Sequence, residues 1–232
     1  MLPKRIPLAL VAVLAAGVPA AAPLAAQSIP SPYRFIEERQ EIGVFGGLFH
    51  GDAGRYGFGP GPGPLSGIRY GLELSGPLGL EGLVSFAPTT RDVINPGREE
   101  GDRKVEEAEV ALVFFEARLR FALTGRRTWY GFQPFAFVGA GLGFDAAGDQ
   151  AEDLVLPEDD RFDFGTRFQG TGGAGVRFLL GRRWVLRADA ALLLYELETP
   201  QGFFDEDRDL GAVPEKEWVN TTTVSLGFAF RF

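Results

Sequence analysis

Three observations predict an all-β fold and, within that class, an eight-stranded antiparallel up-and-down transmembrane β-barrel. Eight segments alternate apolar residues with small or polar ones at period two. The connections between them are alternately long and short along the whole chain. Beyond its N-terminal stretch, the 232-residue chain holds no apolar run of the roughly 18 residues that a membrane-crossing helix needs. A closed barrel is the remaining way to cross, because an open sheet edge leaves backbone groups without partners in hydrocarbon.

Residues 1–26 read as an export signal: Lys4 and Arg5 lead a Leu, Ala and Val stretch that ends on small residues before Gln27. Pro19 and Pro23 interrupt the stretch, which argues against a retained anchor. Cleavage near Ala26 removes two positive charges and takes the formal net charge from −8 to −10. The remaining residues, roughly 205, suit one domain. Residues 27–39 are expected to form a short periplasmic segment, and 40–232 the barrel.

An acidic exported chain is a poor partner for nucleic acid, whose phosphates call for basic patches. With no Cys and one His, disulfides, thiolate metal sites and multi-imidazole zinc sites are excluded. No cofactor is expected.

The strands are placed near 40–50, 66–75, 78–88, 107–123, 129–144, 166–180, 184–196 and 218–232. In the second, Ile68, Tyr70, Leu72 and Leu74 oppose Arg69, Gly71, Glu73 and Ser75. In the fourth, Val113, Phe115, Ala117, Leu119, Phe121 and Leu123 oppose Phe114, Glu116, Arg118 and Arg120. The fifth and sixth set Gly139, Gly141, Gly143, Gly173, Gly175 and Arg177 against apolar faces, and inward glycines would make room for large lumen side chains. In the seventh, Leu186, Ala188, Ala190, Leu192 and Leu194 oppose Arg187, Asp189, Ala191, Leu193 and Tyr195. The last runs Val224, Leu226, Phe228, Phe230, Phe232 on one face and Ser225, Gly227, Ala229, Arg231 on the other.

Periodicity alone fits a soluble sandwich equally well, with the faces inverted. The connections favour the membrane: long at 51–65, 89–106, 145–165 and 197–217, short at 75–78, 124–128 and 181–183. Periplasmic turns are short and outer loops long, and an even strand count puts both termini in the periplasm. Trp129, Tyr130 and Trp184 at the short-turn end, with Tyr195 and Trp218 at the other, are expected to mark the two headgroup regions.

The terminal alternation ending on Phe232 resembles the C-terminal assembly signal of Gram-negative outer membrane barrels. With the Gly-rich strands and the long–short connections, residues 40–232 resemble the small OmpA-like or OmpW-like barrel families. The resemblance implies a monomer in the bacterial outer membrane, with outer membrane lipids, lipopolysaccharide and the barrel assembly machinery as partners. No peptidoglycan-binding domain follows the last strand, so no cell-wall tether is expected.

The inward face is expected to carry Arg69, Glu73, Glu81, Glu116, Arg118, Arg120, Arg177, Arg187, Asp189 and Arg231 as a filled polar lumen. The Gly-Pro-rich stretch 57–64 reads as a flap over the mouth, with Phe58 as its plug. Loops 145–165 and 196–217 are strongly acidic and are expected to be solvated, with divalent cations as optional partners rather than a defined metal site. Arg126, Arg127, Arg182 and Arg183 are expected to snorkel at the periplasmic headgroups. His50, with Asp52 near it in sequence and Ser66 beginning the next strand across the loop, matches no triad pattern, and no catalytic residue is assigned. The expected role is structural or interactive, through envelope integrity, adhesion or recognition by the loops. The alternatives are a narrow transporter for small or hydrophobic solutes, a lipid-modifying enzyme at His50, and a soluble lipocalin-like barrel.

Overall fold

The computed structural model of the chain describes residues 31–148, 150–208 and 210–232. The expected signal, 1–26, lies outside the described residues. Ten strands form: β1 (Tyr33–Phe35), β2 (Gln40–His50), β3 (Gly63–Glu73), β4 (Leu78–Ile94), β5 (Lys104–Ala122), β6 (Arg127–Trp129), β7 (Phe132–Asp145), β8 (Thr166–Leu180), β9 (Trp184–Glu198) and β10 (Lys216–Arg231). Eight of them make the wall in the cyclic order β2, β3, β4, β5, β7, β8, β9, β10, every pair antiparallel. β10 pairs with β2 from Thr222 opposite His50 to Arg231 opposite Glu41, which closes the barrel and leaves it without an edge.

The ladder sets the faces. Ile42, Val44, Ile68, Leu80, Phe115, Leu119, Val138, Leu186, Leu226 and Phe228 are exposed on the outside of the wall. Arg69, Glu81, Arg118, Arg177 and Arg187, one residue out of phase with them, are buried inside. Small inward residues admit large ones: a Cβ on Gly143 would lie 2.5 Å from the Phe114 ring, and one on Gly79 would lie 2.7 Å from Arg120 Nη2.

Three stretches differ most from the sequence expectation. β4 and β5 run on to Ile94 and back from Lys104, so the expected loop at 89–106 shrinks to 95–103. β3 begins at Gly63 and ends at Glu73, because its first residues pair with Phe49 and Leu48 of β2. The expected single strand 129–144 is broken after Trp129, where Tyr130 and Gly131 take φ of 49° and 88° and turn the chain.

That break makes a second device. The freed segment β6 pairs with β1, Tyr33 opposite Trp129 and Phe35 opposite Arg127. β6 follows β5 in the chain and pairs with β7, on the far side of the ring from β2, so residues 36–39 cross the short-turn mouth of the barrel as a strap. Ile36 is buried there, its N–H donating to the Arg126 carbonyl at 3.0 Å. Arg126 Nη2 donates back to the Ile36 carbonyl at 2.7 Å, and Arg231 Nη2 to the Glu38 carbonyl at 2.6 Å.

Candidate functional site

The lumen has two tiers of opposite chemistry. Toward the short turns it is ionic. Arg187 donates to both Glu81 oxygens at 2.6 and 3.0 Å and to Asp189 at 2.7 and 2.9 Å. Arg69 reaches the same Asp189 at 2.6 Å. Arg120 hydrogen-bonds Glu73 at 2.6 Å and makes a 2.8 Å ion pair with Glu81 that lacks hydrogen-bond angles. Arg177 joins Glu73 at 2.8 Å, Gln133 at 2.7 Å, and Glu41. Arg118 holds Glu116 on its own strand by two bonds, one of them 2.9 Å long. Arg231 lies 3.8 Å from Glu41.

All ten charged residues singled out in the sequence thus face the lumen, and each has an oppositely charged neighbour. Glu41 is an addition, and so is the aromatic flooring. Arg118 and Arg187 lie over the Phe137 and Phe135 rings at 4.4 and 4.3 Å, so their flat faces are covered by π-systems while their edges meet carboxylates. The alternation Glu41, Gly43, Phe45 opposite Ile42, Val44 carries the signal for Glu41.

The expectation of a polar lumen throughout is corrected in the outer half, which is apolar. Phe45, Phe49, Leu65, Ala87, Val110, Leu112, Phe114, Tyr195, Leu197 and Val219 pack there as one cluster. Three loops cover it. Phe58 from the first loop, Phe162 from the third and Phe203 from the fourth meet, with Phe58 to Phe162 at 4.8 Å and Phe58 to Phe203 at 5.6 Å between ring centres. Phe58 keeps only 2% of its surface exposed. Between the tiers lies a cavity of about 20 Å³ lined by Phe45, Phe114, Glu116 and Arg118 among others, roughly the space of a single water.

The reason is solvent. On β5 the outward residues Val113, Phe115, Ala117, Leu119 and Phe121 give way, toward the loops, to Glu109 and Glu107. The inward residues change the other way, from Arg120, Arg118 and Glu116 to Phe114, Leu112, Val110 and Ala108. Inside the bilayer grease faces out; beyond it, where water is outside, the same strand turns its grease inward. Tyr195, expected at the outer interface, sits on that inverted inner face. It is 1% exposed, bonds Thr221 at 3.2 Å and meets Phe164 edge-on at 5.8 Å. Trp218 stays outward, as do Trp129, Tyr130 and Trp184.

The acidic loops are likewise not simply solvated. Asp153 is buried against Arg91 at 2.5 Å, and Asp160 is buried against Arg208. Arg167, 3.0 Å from Glu198, holds that carboxyl below the ordinary carboxylate range, first through its hydrogen bond and then through its charge. Among the described residues, no three acid or imidazole side chains converge on a point that fits a metal ion. His50 points outward opposite Thr222, Asp52 accepts the Gly54 N–H at 3.0 Å, and Ser66 lies opposite Gly46, so the three do not converge.

Comparison with known proteins gives one sequence family and a set of folds. The model of the outer membrane protein beta-barrel domain matches residues 8–232. No curated protein sequence matches significantly. The outer membrane protein OprG of Pseudomonas aeruginosa aligns with a TM-score of 0.56 at 12% identity, covering 85% of this chain and 98% of its own. Neisserial surface protein A aligns at 0.52 and 12% identity, covering 83% and 97%. At such identity these two show a shared fold.

Proposed function

Since the chain belongs to the outer membrane protein β-barrel domain family, we propose that it works as a sealed outer membrane barrel. Its role is structural and interactive, with the acidic outer loops as its contact surface. It is exported by a signal cleaved near Ala26, inserted by the barrel assembly machinery through the Val224–Phe232 alternation, and monomeric. No catalytic role is assigned to it.

The observation that carries this reading is the three-loop aromatic lock, Phe58 with Phe162 and Phe203, above an ion-paired lower lumen. A solute passing through the barrel would have to break both tiers. The free carboxylates of the outer loops are suited to divalent ions shared with lipopolysaccharide phosphates, each ion held from both sides.

The test is electrical. Folded protein in planar bilayers is expected to carry no stepwise current, and solute-dependent current would replace this reading with the narrow transporter. In a deletion strain, loss of detergent resistance or of surface attachment should be restored by the whole chain. A chain whose loops at 150–163 and 201–213 are cut to short turns should not restore attachment.

A further inference from the structure

Among the described residues, four cationic side chains make neither a hydrogen bond nor an ion pair with the protein: Arg34, Arg39, Arg127 and Arg183. All four are exposed, and all four lie at the short-turn end. Elsewhere the account is complete. At the loop end, Arg55, Arg103 and Arg161 donate to backbone carbonyls, and Arg91, Arg98, Lys104, Arg167, Arg208 and Lys216 face carboxylates. In a chain of net charge −8, carboxylates are plentiful, yet none is supplied to these four.

Around them the short-turn end has six arginines, the four together with Arg126 and Arg182, against Glu37 and Glu38, a net charge of +4. Both glutamates are already engaged, Glu37 by Arg182 at 2.6 Å and Glu38 by Arg231 at 3.8 Å. Exposed Trp129, Tyr130 and Trp184 set the depth of this end at the lipid headgroups. Arg34 and Arg127 lie on the paired strands β1 and β6 beside Trp129, and Arg183 immediately precedes Trp184. A forked guanidinium at headgroup depth is matched by a phosphate, which takes two parallel N–H donors.

We propose that Arg34, Arg39, Arg127 and Arg183 form a collar that recognises anionic phospholipid headgroups, of the phosphatidylglycerol class, in the periplasmic leaflet. The strap supplies Arg39, and β1, from which the strap sets out, supplies Arg34, so the crossing of the mouth also builds the collar. The inference rests on the membrane seat of the barrel, which the gel-shift behaviour of the wild type tests separately.

The experiment places the folded chain in nanodiscs of equimolar phosphatidylglycerol and phosphatidylcholine with identical acyl chains. Detergent then extracts the protein, and native mass spectrometry reads the lipids retained. Wild type should hold phosphatidylglycerol about five-fold over the bulk ratio, the preference expected from one guanidinium at an anionic surface. The variant R34Q/R39Q/R127Q/R183Q should fall to the bulk ratio, and the four-lysine variant should keep a preference. All four side chains are exposed, so the variants should still shift on a gel when unheated. If the glutamine variant does not, raising salt from about 50 to about 500 mM should erase the wild-type preference. Wild type at the bulk ratio, or a glutamine variant that keeps the full enrichment, overturns the proposal.

Discussion

Arg187 is the residue on which the ionic tier turns, because it touches Glu81 and Asp189 at once and lies over Phe135. Replacing it by alanine leaves Asp189 to Arg69 alone and Glu81 to the poorly angled Arg120 contact alone, and breaking a buried pair costs up to about 3–5 kcal/mol. Arg187→Ala should therefore lose its folded gel band at lower temperature than wild type. Arg118→Ala, which strands only Glu116, should fall in the same direction. Unchanged melting in both would mean that water, not arginine, satisfies these carboxylates. The inward direction of each charge was legible in the sequence, since Arg118 and Arg120 alternate with Leu119 and Phe121. Who pairs with whom was not, because Arg187 and Glu81 are 106 residues apart and meet only through the curvature of the wall.

At the scale of elements, β5 shows how one uninterrupted alternation serves two solvents. Its phase never slips, yet its apolar residues change faces near Val113 and Phe114. The change was present in the sequence as the run Glu106 to Glu109 on the strand's outer part, but it reads as a loop until the strand is seen to pass beyond the bilayer. From Ala87 to Ile94, β4 continues roughly 26 Å past the lipid-facing Phe86, at 3.3 Å per residue. The roof is the element this extension makes possible. Phe58→Ala removes the ring shared by three loops and should cost about 3–5 kcal/mol. Trypsin should then cut the folded variant in the third and fourth loops, where Arg161 and Arg208 lie, faster than wild type. Equal cleavage would show that the loops hold without the lock. The strap makes its own prediction: Ile36→Asp puts a carboxylate where the side chain is buried, and it should weaken protection of the N-terminal segment while leaving the wall's gel shift in place.

For the whole molecule, closure is the decisive fact. β10 must find β2 across the entire chain before any barrel exists, and Phe232 directly follows the strand that makes this seam, its N–H donating to the Gln40 carbonyl at 3.0 Å. Deleting Phe232 should lower the yield of heat-modifiable protein in the outer membrane fraction. Full recovery of the shifted band from the deletion would show that the terminal ring is dispensable for assembly. A soluble, unshifted product from the wild type would instead undo the membrane seat.

Strand number, antiparallel order and the direction of nearly every side chain follow from local information, because a period-two pattern and its turns are read within a dozen residues. Glycine positions belong to the same local record, though what they admit became visible only as Phe114 beside Gly143 and Arg120 beside Gly79. The ion-pair partners, the rings that meet Phe58 and the strap across the short-turn mouth were decided by tertiary structure alone. Each depends on segments distant in the chain being brought together by closure of the ring. Each also depends on where the bilayer ends along a strand, a boundary set by the assembled wall.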